Sequence, residues 1–346
     1  MSGFHPLTAW YNNETIFMLH SSTSPASAMP AQQVGYRFRE VHLELTTACN
    51  FRCGFCPLVE LRRPQARMDF KLAQSVLRQC IDDRLCDHAT FHLMGEALLH
   101  PYCVEVMEYC KQLGISTRLV TNGSLYQEEK YIRLFRSLQT LDISYRTVDD
   151  MELQSVQKKL TYEQYLDRVL TAIRLRSTLS DSSTAIRIRV FISEKTISSL
   201  VRLCDALGID SKVITASTTR EVRPYSAFNP YPWLTFLCEK EFDWRDQNKP
   251  YPSRFANCDE FDTGFAVLAS GDVTTCCWDA HGGNVVGNVG KRPIMEILFG
   301  ETASSYRRAF ANHRMPTETC QRCLGRPTLA RSLVYQALSL INIRQG

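Results

Sequence analysis

The sequence predicts an α/β fold, a parallel sheet that is open or curled, followed by a small cysteine-bearing module. Three observations carry this expectation. From residue 40 to about 217, short apolar runs alternate with longer amphipathic stretches; residues 218–257 break that rhythm with clustered prolines and aromatics; and two short apolar runs then flank a glycine turn. Six strand–helix units in succession call for a parallel sheet covered by helices, with its chemistry at the carboxyl ends of the strands.

The strand candidates are VHLEL (41–45), ATFHLM (89–94), STRLVT (116–121), TLDIS (140–144), AIRIRVFI (185–192) and KVITA (212–216). Helical stretches lie between them: KLAQSVLRQCI, YCVEVMEYCKQL, QEEKYIRLFRSL, TYEQYLDRVLTAIRLR and TISSLVRLCDAL. In the first of these Ala73, Val76, Leu77 and Cys80 share one face, and in the second Val106, Cys110 and Leu113 do, as helical spacing requires. On the fifth strand, alternation puts Ile186, Ile188 and Val190 on one face and Arg187 and Arg189 on the other. Buried-face arginines need anions or satisfied structural partners.

The segment 218–257 is long for a connection, so it reads as a linker or a substrate-covering loop. Beyond it, GFAVLASGDVTTCCW and GGNVVGNVG read as a small hairpin, and IMEILFG and SSYRRAFANHR as helices. The expected organisation is an N-terminal extension (1–39), the α/β domain (40–217), the linking segment (218–257) and the C-terminal module with its final helix (258–346).

Composition narrows the function. The 346 residues are 44% hydrophobic and 22% charged, values of a folded globular protein with a substantial core. A net charge of +4, without a basic run interleaved with aromatics, gives no nucleic-acid signature. The opening residues lack a signal-peptide pattern, and no apolar run is long enough to span a bilayer. The expected location is therefore the cytoplasm, with no membrane partner.

Fourteen cysteines in a reducing compartment point to metal ligands or buried thiols instead of disulfides. Cys80, Cys86, Cys103, Cys110 and Cys204 read as core thiols, which pack as small hydrophobes. Cys238 and Cys277 stay ambiguous. Seven remain in two groups: Cys49, Cys53 and Cys56, then Cys258, Cys276, Cys320 and Cys323. The first group sits in ACNFRCGFC, the loop after the first strand. Three thiolates from one short loop can hold three corners of a cubane cluster and leave the fourth iron without a protein ligand. An incomplete zinc site is the alternative, although structural zinc prefers four protein ligands.

The pattern CNFRCGFC after a first strand resembles the CxxxCxxC motif of radical S-adenosylmethionine (radical SAM) enzymes. HLMGEALLHP at the second strand end is similar to that family's glycine and glutamate motif, TNGSL to its third strand end and LDIS to its fourth. The resemblance covers 40 to about 217 and implies a partial (βα)6 TIM-like barrel. It also implies that S-adenosylmethionine chelates the open iron of a 4Fe-4S cluster and is cleaved by one electron to methionine and a 5'-deoxyadenosyl radical. The implied roles are cluster ligation by Cys49, Cys53 and Cys56, and packing of Phe55 near the adenine. Gly95 and Glu96 would receive the cofactor's amino group; Ser144 would make a ribose or carboxylate contact. Asn122 occupies an equivalent strand end, and Arg189 would meet the cofactor carboxylate or the substrate. Met94 and Ala97 stand where relatives often carry Gly and Pro, a departure that bears on the loop's course.

The second cysteine group, with CCWDAHGGNVVGNV and PTETCQRC, resembles the twitch domain, a shortened form of the auxiliary-cluster module called SPASM. This makes the C-terminal part a small α+β iron-sulfur module. LGRPTLARSLVYQALSLINIRQG carries no further cysteine, so one auxiliary cluster is expected, two in all. Four protein ligands would close that cluster and make it an electron relay; zinc is the rival occupant. Adjacent strand residues point to opposite faces, and the twitch spacing selects Cys276 over Cys277.

An electron relay suggests net oxidation. Twitch relatives include dehydrogenases of secondary alcohols on aminocyclitols or sugars, while related modules serve peptide-modifying enzymes. Only about 40 residues precede the first strand, which favours a small-molecule substrate over a peptide. Arg62, Arg63 and Arg67 in LRRPQAR are candidate grips for a phosphate or carboxylate, or a solvated loop. The resemblance also implies a one-electron reductant of the flavodoxin or ferredoxin type. A non-catalytic iron-sulfur or zinc protein is the remaining alternative.

Overall fold

The computed structural model describes residues 37–145, 153, 157–191, 194–210, 226–239, 254 and 258–323. The chain divides into two compact units, Met1–Gly35 and Tyr36–Gly346, and every described residue belongs to the second. The N-terminal extension up to residue 36 and the strand candidate 212–216 lie outside the described residues.

The first five strands fall where the alternating pattern places them: β1 (Glu40–Leu43), β2 (His88–Phe91), β3 (Ser116–Thr121), β4 (Thr140–Ser144) and β5 (Ala185–Phe191). Each is parallel to its predecessor. The connecting helices are α1 (Phe70–Asp82), α2 (Cys103–Gln112), α3 (Glu128–Ser137), α4 (Tyr162–Thr178) and α5 (Glu194–Ala206). Local chemistry sets their ends. Asp69 caps α1 by accepting from the backbone N–H groups of Lys71 (2.8 Å) and Leu72 (3.2 Å), and Thr161 with Gln164 forms a capping box at α4. Ala73, Val76, Leu77 and Cys80 of α1 are buried, as are Val106 and Cys110 of α2. Cys86, Cys103 and Cys204 are buried too.

Two features depart from the sequence expectation. The segment assigned to a linker contains a hairpin, β6 (Ser226–Tyr231) and β7 (Leu234–Glu239), and β7 pairs parallel with β5 as the sixth strand of the curl. Leu234, Phe236 and Cys238 lie on the buried face shared with Ile186, Ile188 and Val190, which makes a strand of a stretch that its prolines and aromatics disguise. Pro230 sits on β6, which pairs only with β7 at the end of the sheet, where a missing donor costs no ladder bond.

Second, the expected C-terminal hairpin is a three-stranded meander continuous with the barrel. After the short helix α6 (Glu260–Thr263) come β8 (Gly264–Val267), β9 (Asp272–Thr274) and β10 (Val285–Asn288). Strand β8 pairs parallel with β1, so one ten-stranded sheet runs β10-β9-β8-β1-β2-β3-β4-β5-β7-β6. Helices α7 (Ile294–Phe299), α8 (Glu301–Ala311) and α9 (Glu318–Cys323) complete the described chain. Among the described residues no helix is long and apolar enough to cross a membrane.

Candidate functional site

The loop that leaves β1 is pinned at its base before it reaches the cysteines. Thr47 N–H donates to the Ala66 carbonyl (3.0 Å), Ala66 N–H to Thr47 Oγ1 (2.8 Å) and Met68 N–H to the Leu45 carbonyl (2.8 Å). Glu44, wholly buried, receives both guanidinium ends of Arg63, one at 2.7 Å, and accepts from the backbone of Met94 (3.2 Å) and Ala269 (3.1 Å). Arg63 also donates to the Ala280 carbonyl at 2.7 Å. Its guanidinium is therefore a structural clamp between the loop, β1 and the C-terminal meander, and the substrate grip read for Arg63 gives way to that role.

Cys49, Cys53 and Cys56 project from this pinned loop and are half-buried. Burial pushes the Cys49 thiol up to about 11, and burial likewise raises Cys56. Neutral thiols of this kind become thiolates when a cation displaces the proton. Glu96 and Cys56 lie near enough to add to the rise at Cys49. Phe55 lies edge-on to Phe191 at the end of β5, centroids 5.3 Å apart.

Gly95 is where the second strand end meets this loop. Its φ is +81°, and a Cβ there would stand 2.0 Å from the Thr46 carbonyl oxygen, so only glycine fits. Glu96 N–H donates to the Ala48 carbonyl at 2.8 Å. The Glu96 carboxylate, buried, accepts from Asn122 N–H (2.7 Å), Leu98 N–H (3.1 Å) and Thr121 Oγ1 (2.9 Å). Burial raises its pKa and these three bonds partly oppose the rise. Its immediate work is to tie the ends of β2 and β3 together.

Asn122 carries that tie back to the cysteine loop. Its Nδ2 donates to Asn50 Oδ1 (3.0 Å), Asn50 Nδ2 donates to Ser124 Oγ (2.8 Å), and Ser124 returns a bond to Asn122 Oδ1 (2.6 Å). Two of the residues read from the sequence as cofactor contacts thus brace the cysteine loop, Glu96 at Ala48 and Asn122 at Asn50, which lies between Cys49 and Cys53. Ser144, by contrast, is partly exposed at its strand end, and its hydroxyl makes no hydrogen bond among the described residues, so that hydroxyl is open to a ligand.

Inside the curl, Asp142 collects three arginines. Arg118 binds it through Nε (2.9 Å) and Nη2 (2.6 Å), Arg187 through Nε (2.5 Å) and Nη2 (3.0 Å), and Arg189 approaches to 3.5 Å. Burial alone would raise the Asp142 pKa, but Arg118, Arg187 and Arg189 outweigh it and hold the carboxylate ionised. Three cations share one buried anion. Arg187 makes two hydrogen bonds to Asp142, and Arg189 pairs in register with Ser144 at the strand ends.

The second thiol set assembles from three elements. Cys258 precedes α6, Cys276 follows β9, and Cys320 and Cys323 stand one turn apart on α9. Burial pushes Cys258 up to about 12 and Cys320 to about 11, and raises Cys276; Cys320 and Cys323 bear electrostatically on both Cys258 and Cys276. Asp279, fully buried, holds the turn by accepting from Thr274 Oγ1 (2.6 Å), Gly283 N–H (2.8 Å) and Asn284 N–H (2.8 Å). Asn284 Nδ2 is buried without an N or O partner, and the Asn284 side chain bears on the Cys320 thiol. An amide donor set beside a thiol suits a thiolate held by a metal. Cys277 points elsewhere: it packs with Leu93, Ala266 and Leu268. Cys238 lies on β7 opposite Val190, on the face away from Arg187 and Arg189, so it is a core thiol.

Among the described residues, neither thiol set has three sulfurs within 4.8 Å of one another. One zinc with bonds of ~2.3 Å holds its sulfurs about 3.8 Å apart. Among the described residues, the set of three donors lying within 4.8 Å of one another is a different one, His42, His92 and Cys277. A wider spacing is what a cluster with several irons between the sulfurs requires. Sequence reasoning passed over His42, His92, Glu44, Asp142 and Asp279. For the first four the available signal was a polar residue alternating with apolar ones along a strand.

Residues 43–188 match the model of the Radical SAM superfamily, and residues 258–324 match that of the SPASM iron-sulfur cluster-binding domain; together they cover more than half of the chain. The chain belongs to the radical SAM superfamily and carries a C-terminal SPASM domain. Its cofactors are 4Fe-4S clusters and S-adenosylmethionine.

Among curated relatives, the tungsten-containing aldehyde ferredoxin oxidoreductase cofactor-modifying protein of Pyrococcus furiosus is 23% identical over 185 residues, 51% of this chain and 50% of that protein. The S-adenosylmethionine-dependent nucleotide dehydratase of Pseudoalteromonas ulvae is 26% identical over 132 residues, 34% of this chain and 42% of that one. The chain thus spans about half the length of the curated relatives it matches. Among solved structures, BtrN in complex with AdoMet and 2-DOIA aligns with a TM-score of 0.50 and 15% identity, covering 83% of this chain and 93% of that chain. Streptococcus suis SuiB bound to precursor peptide SuiA aligns at 0.57 and 16%, covering 84% and 72%. At such identities these two likenesses concern the fold alone.

Proposed function

We propose that this radical SAM enzyme dehydrogenates a hydroxyl-bearing small molecule, an aminocyclitol, amino sugar or nucleotide sugar, in a biosynthetic pathway. The observation that carries the reading is the gathering of four cysteines, Cys258, Cys276, Cys320 and Cys323, beside a barrel that already has a separate set of three. Four protein ligands close a cluster to substrate and leave it the role of accepting an electron. When bound at Cys49, Cys53 and Cys56, the other cluster and S-adenosylmethionine supply a radical able to remove a hydrogen atom from carbon.

The chain's own residues then have defined tasks. Phe55 flanks the cofactor's adenine, Ser144 offers a free hydroxyl at a strand end, and Arg189 holds an anionic group of the cofactor or substrate. Arg118, Arg187 and Arg189 gather around Asp142 inside the curl, and guanidinium groups in a barrel of this kind suit an anionic substrate such as a nucleotide sugar. Loss of one hydrogen atom, one proton and one electron turns a secondary alcohol into a ketone. A flavodoxin or ferredoxin type donor supplies the electron that starts each turnover.

The test is anaerobic turnover of reconstituted enzyme with S-adenosylmethionine and dithionite against aminocyclitols, amino sugars and nucleotide sugars. The expected result is a product two hydrogens lighter with one 5'-deoxyadenosine per product. Turnover of a peptide alone, or a product of unchanged mass, would replace this reading with peptide crosslinking or epimerisation.

A further inference from the structure

His42 and His92 stand on the inner side of the curl and belong to neither cysteine set. His42, on β1, is in register with Thr90 on β2 and with Ala266 on β8; His92 directly follows β2. The two imidazoles meet edge to face, centroids 4.9 Å apart, with Nδ1 of His42 2.8 Å from Nε2 of His92. Ala266, the β8 partner of His42, packs in one cluster with Cys277, Leu93 and Leu268. One donor atom from each of His42, His92 and Cys277 lies within 4.8 Å of the other two.

We propose that His42, His92 and Cys277 bind one zinc-type divalent ion, a metal centre separate from both clusters. Two imidazoles and a thiolate make a borderline-soft donor set suited to zinc, and three protein ligands leave a fourth position for water or a substrate oxygen. The preformed distance is close to what such an ion needs: bonds of ~2.05 Å put two imidazole nitrogens about 3.3 Å apart. The present contact reaches that by a small rotation of either ring. His42 Nδ1 lies 4.0 Å from the Glu40 carboxylate, so an anion stands beside the site and offsets added positive charge.

The backbone is arranged for it. Leu93, the residue after His92, has φ +92°, a left-handed conformation that a branched apolar residue rarely adopts, and it belongs to the same apolar cluster as Cys277. The strained turn fixes where His92 points. Cys276, one residue from Cys277, faces the other cysteines, so the two neighbouring thiols serve different metals.

Anaerobically reconstituted holoenzyme is incubated with one equivalent of zinc sulfate, desalted and analysed for iron and zinc beside Cys277→Ser and His92→Gln. Iron content reports folding in each conservative variant. The wild type retains about one zinc per chain, its zinc K-edge absorption shows a nitrogen-rich shell with one sulfur, and both variants keep their iron but hold zinc only at background. Background zinc in the wild type, zinc retained by either variant, or a shell of four sulfurs from occupation of the auxiliary-cluster cysteines would each overturn the proposal.

Discussion

Replacing Glu96 with glutamine separates bracing from direct cofactor contact. The carboxylate uses one oxygen for Leu98 N–H and Thr121 Oγ1 and the other for Asn122 N–H. A glutamine of the same shape turns one of those oxygens into an NH2 group, which must face a backbone donor whichever way the amide is set. One buried donor then loses its acceptor, at a cost of about 1–3 kcal/mol. For a chain of this size that lowers the melting temperature by roughly 2–6 °C. Three of about four lone-pair sites are already taken, so the effect on S-adenosylmethionine affinity should be the smaller one. The assay pairs thermal unfolding of the holoenzyme with a cofactor titration. An unchanged melting temperature with a tenfold or greater loss of affinity would refute the bracing argument and make Glu96 a direct ligand of the cofactor. The pH dependence carries a sign as well. Burial raises the Glu96 pKa, so its contribution is fully present below the ordinary carboxylate pKa and is lost as pH rises through the raised value. The Gln variant should lack that component.

Other residues give equally definite outcomes. Asp142→Asn leaves three arginines without their carboxylate and should destabilise by about 3–5 kcal/mol, read by thermal unfolding. Because those arginines depress the Asp142 pKa, its contribution in the wild type stands above the ordinary carboxylate pKa and is lost as pH falls through the depressed value; the variant should show a flatter acid limb. Gly95→Ala forces a Cβ to 2.0 Å from the Thr46 carbonyl and should lose iron from the first cluster while keeping the second, measured by iron analysis. Cys276→Ala should lose the auxiliary cluster and the oxidised product but still cleave S-adenosylmethionine, whereas Cys277→Ala should keep both clusters.

The sequence made the first five strands legible because each carries a local signal, alternation or an apolar run bounded by turns, and neighbouring strands are close in the chain. It also isolated the seven clustered cysteines, since their spacing is itself the signal. The sixth strand was hidden because Pro230 and the surrounding aromatics resemble a loop, and only pairing with β5 makes 234–239 a strand. The junction of β8 with β1 joins residues more than two hundred positions apart, and no local pattern announces it. The roles of Glu96 and Asn122 are set by backbone N–H groups and by Asn50 and Ser124, partners that side-chain identity cannot reveal. His42, His92 and Cys277 are unremarkable one by one and become a candidate site only where three strands bring them together.

The most direct measurement is electron paramagnetic resonance of the reduced holoenzyme with and without S-adenosylmethionine, alongside the Cys49, Cys53 and Cys56 triple alanine variant. The account predicts two reduced 4Fe-4S signals, of which the cofactor shifts only one. The triple variant should retain the unshifted signal and form no 5'-deoxyadenosine. A cofactor-sensitive signal or cofactor cleavage in the triple variant would contradict the assignment of an open cluster to that loop and a closed one to the C-terminal cysteines.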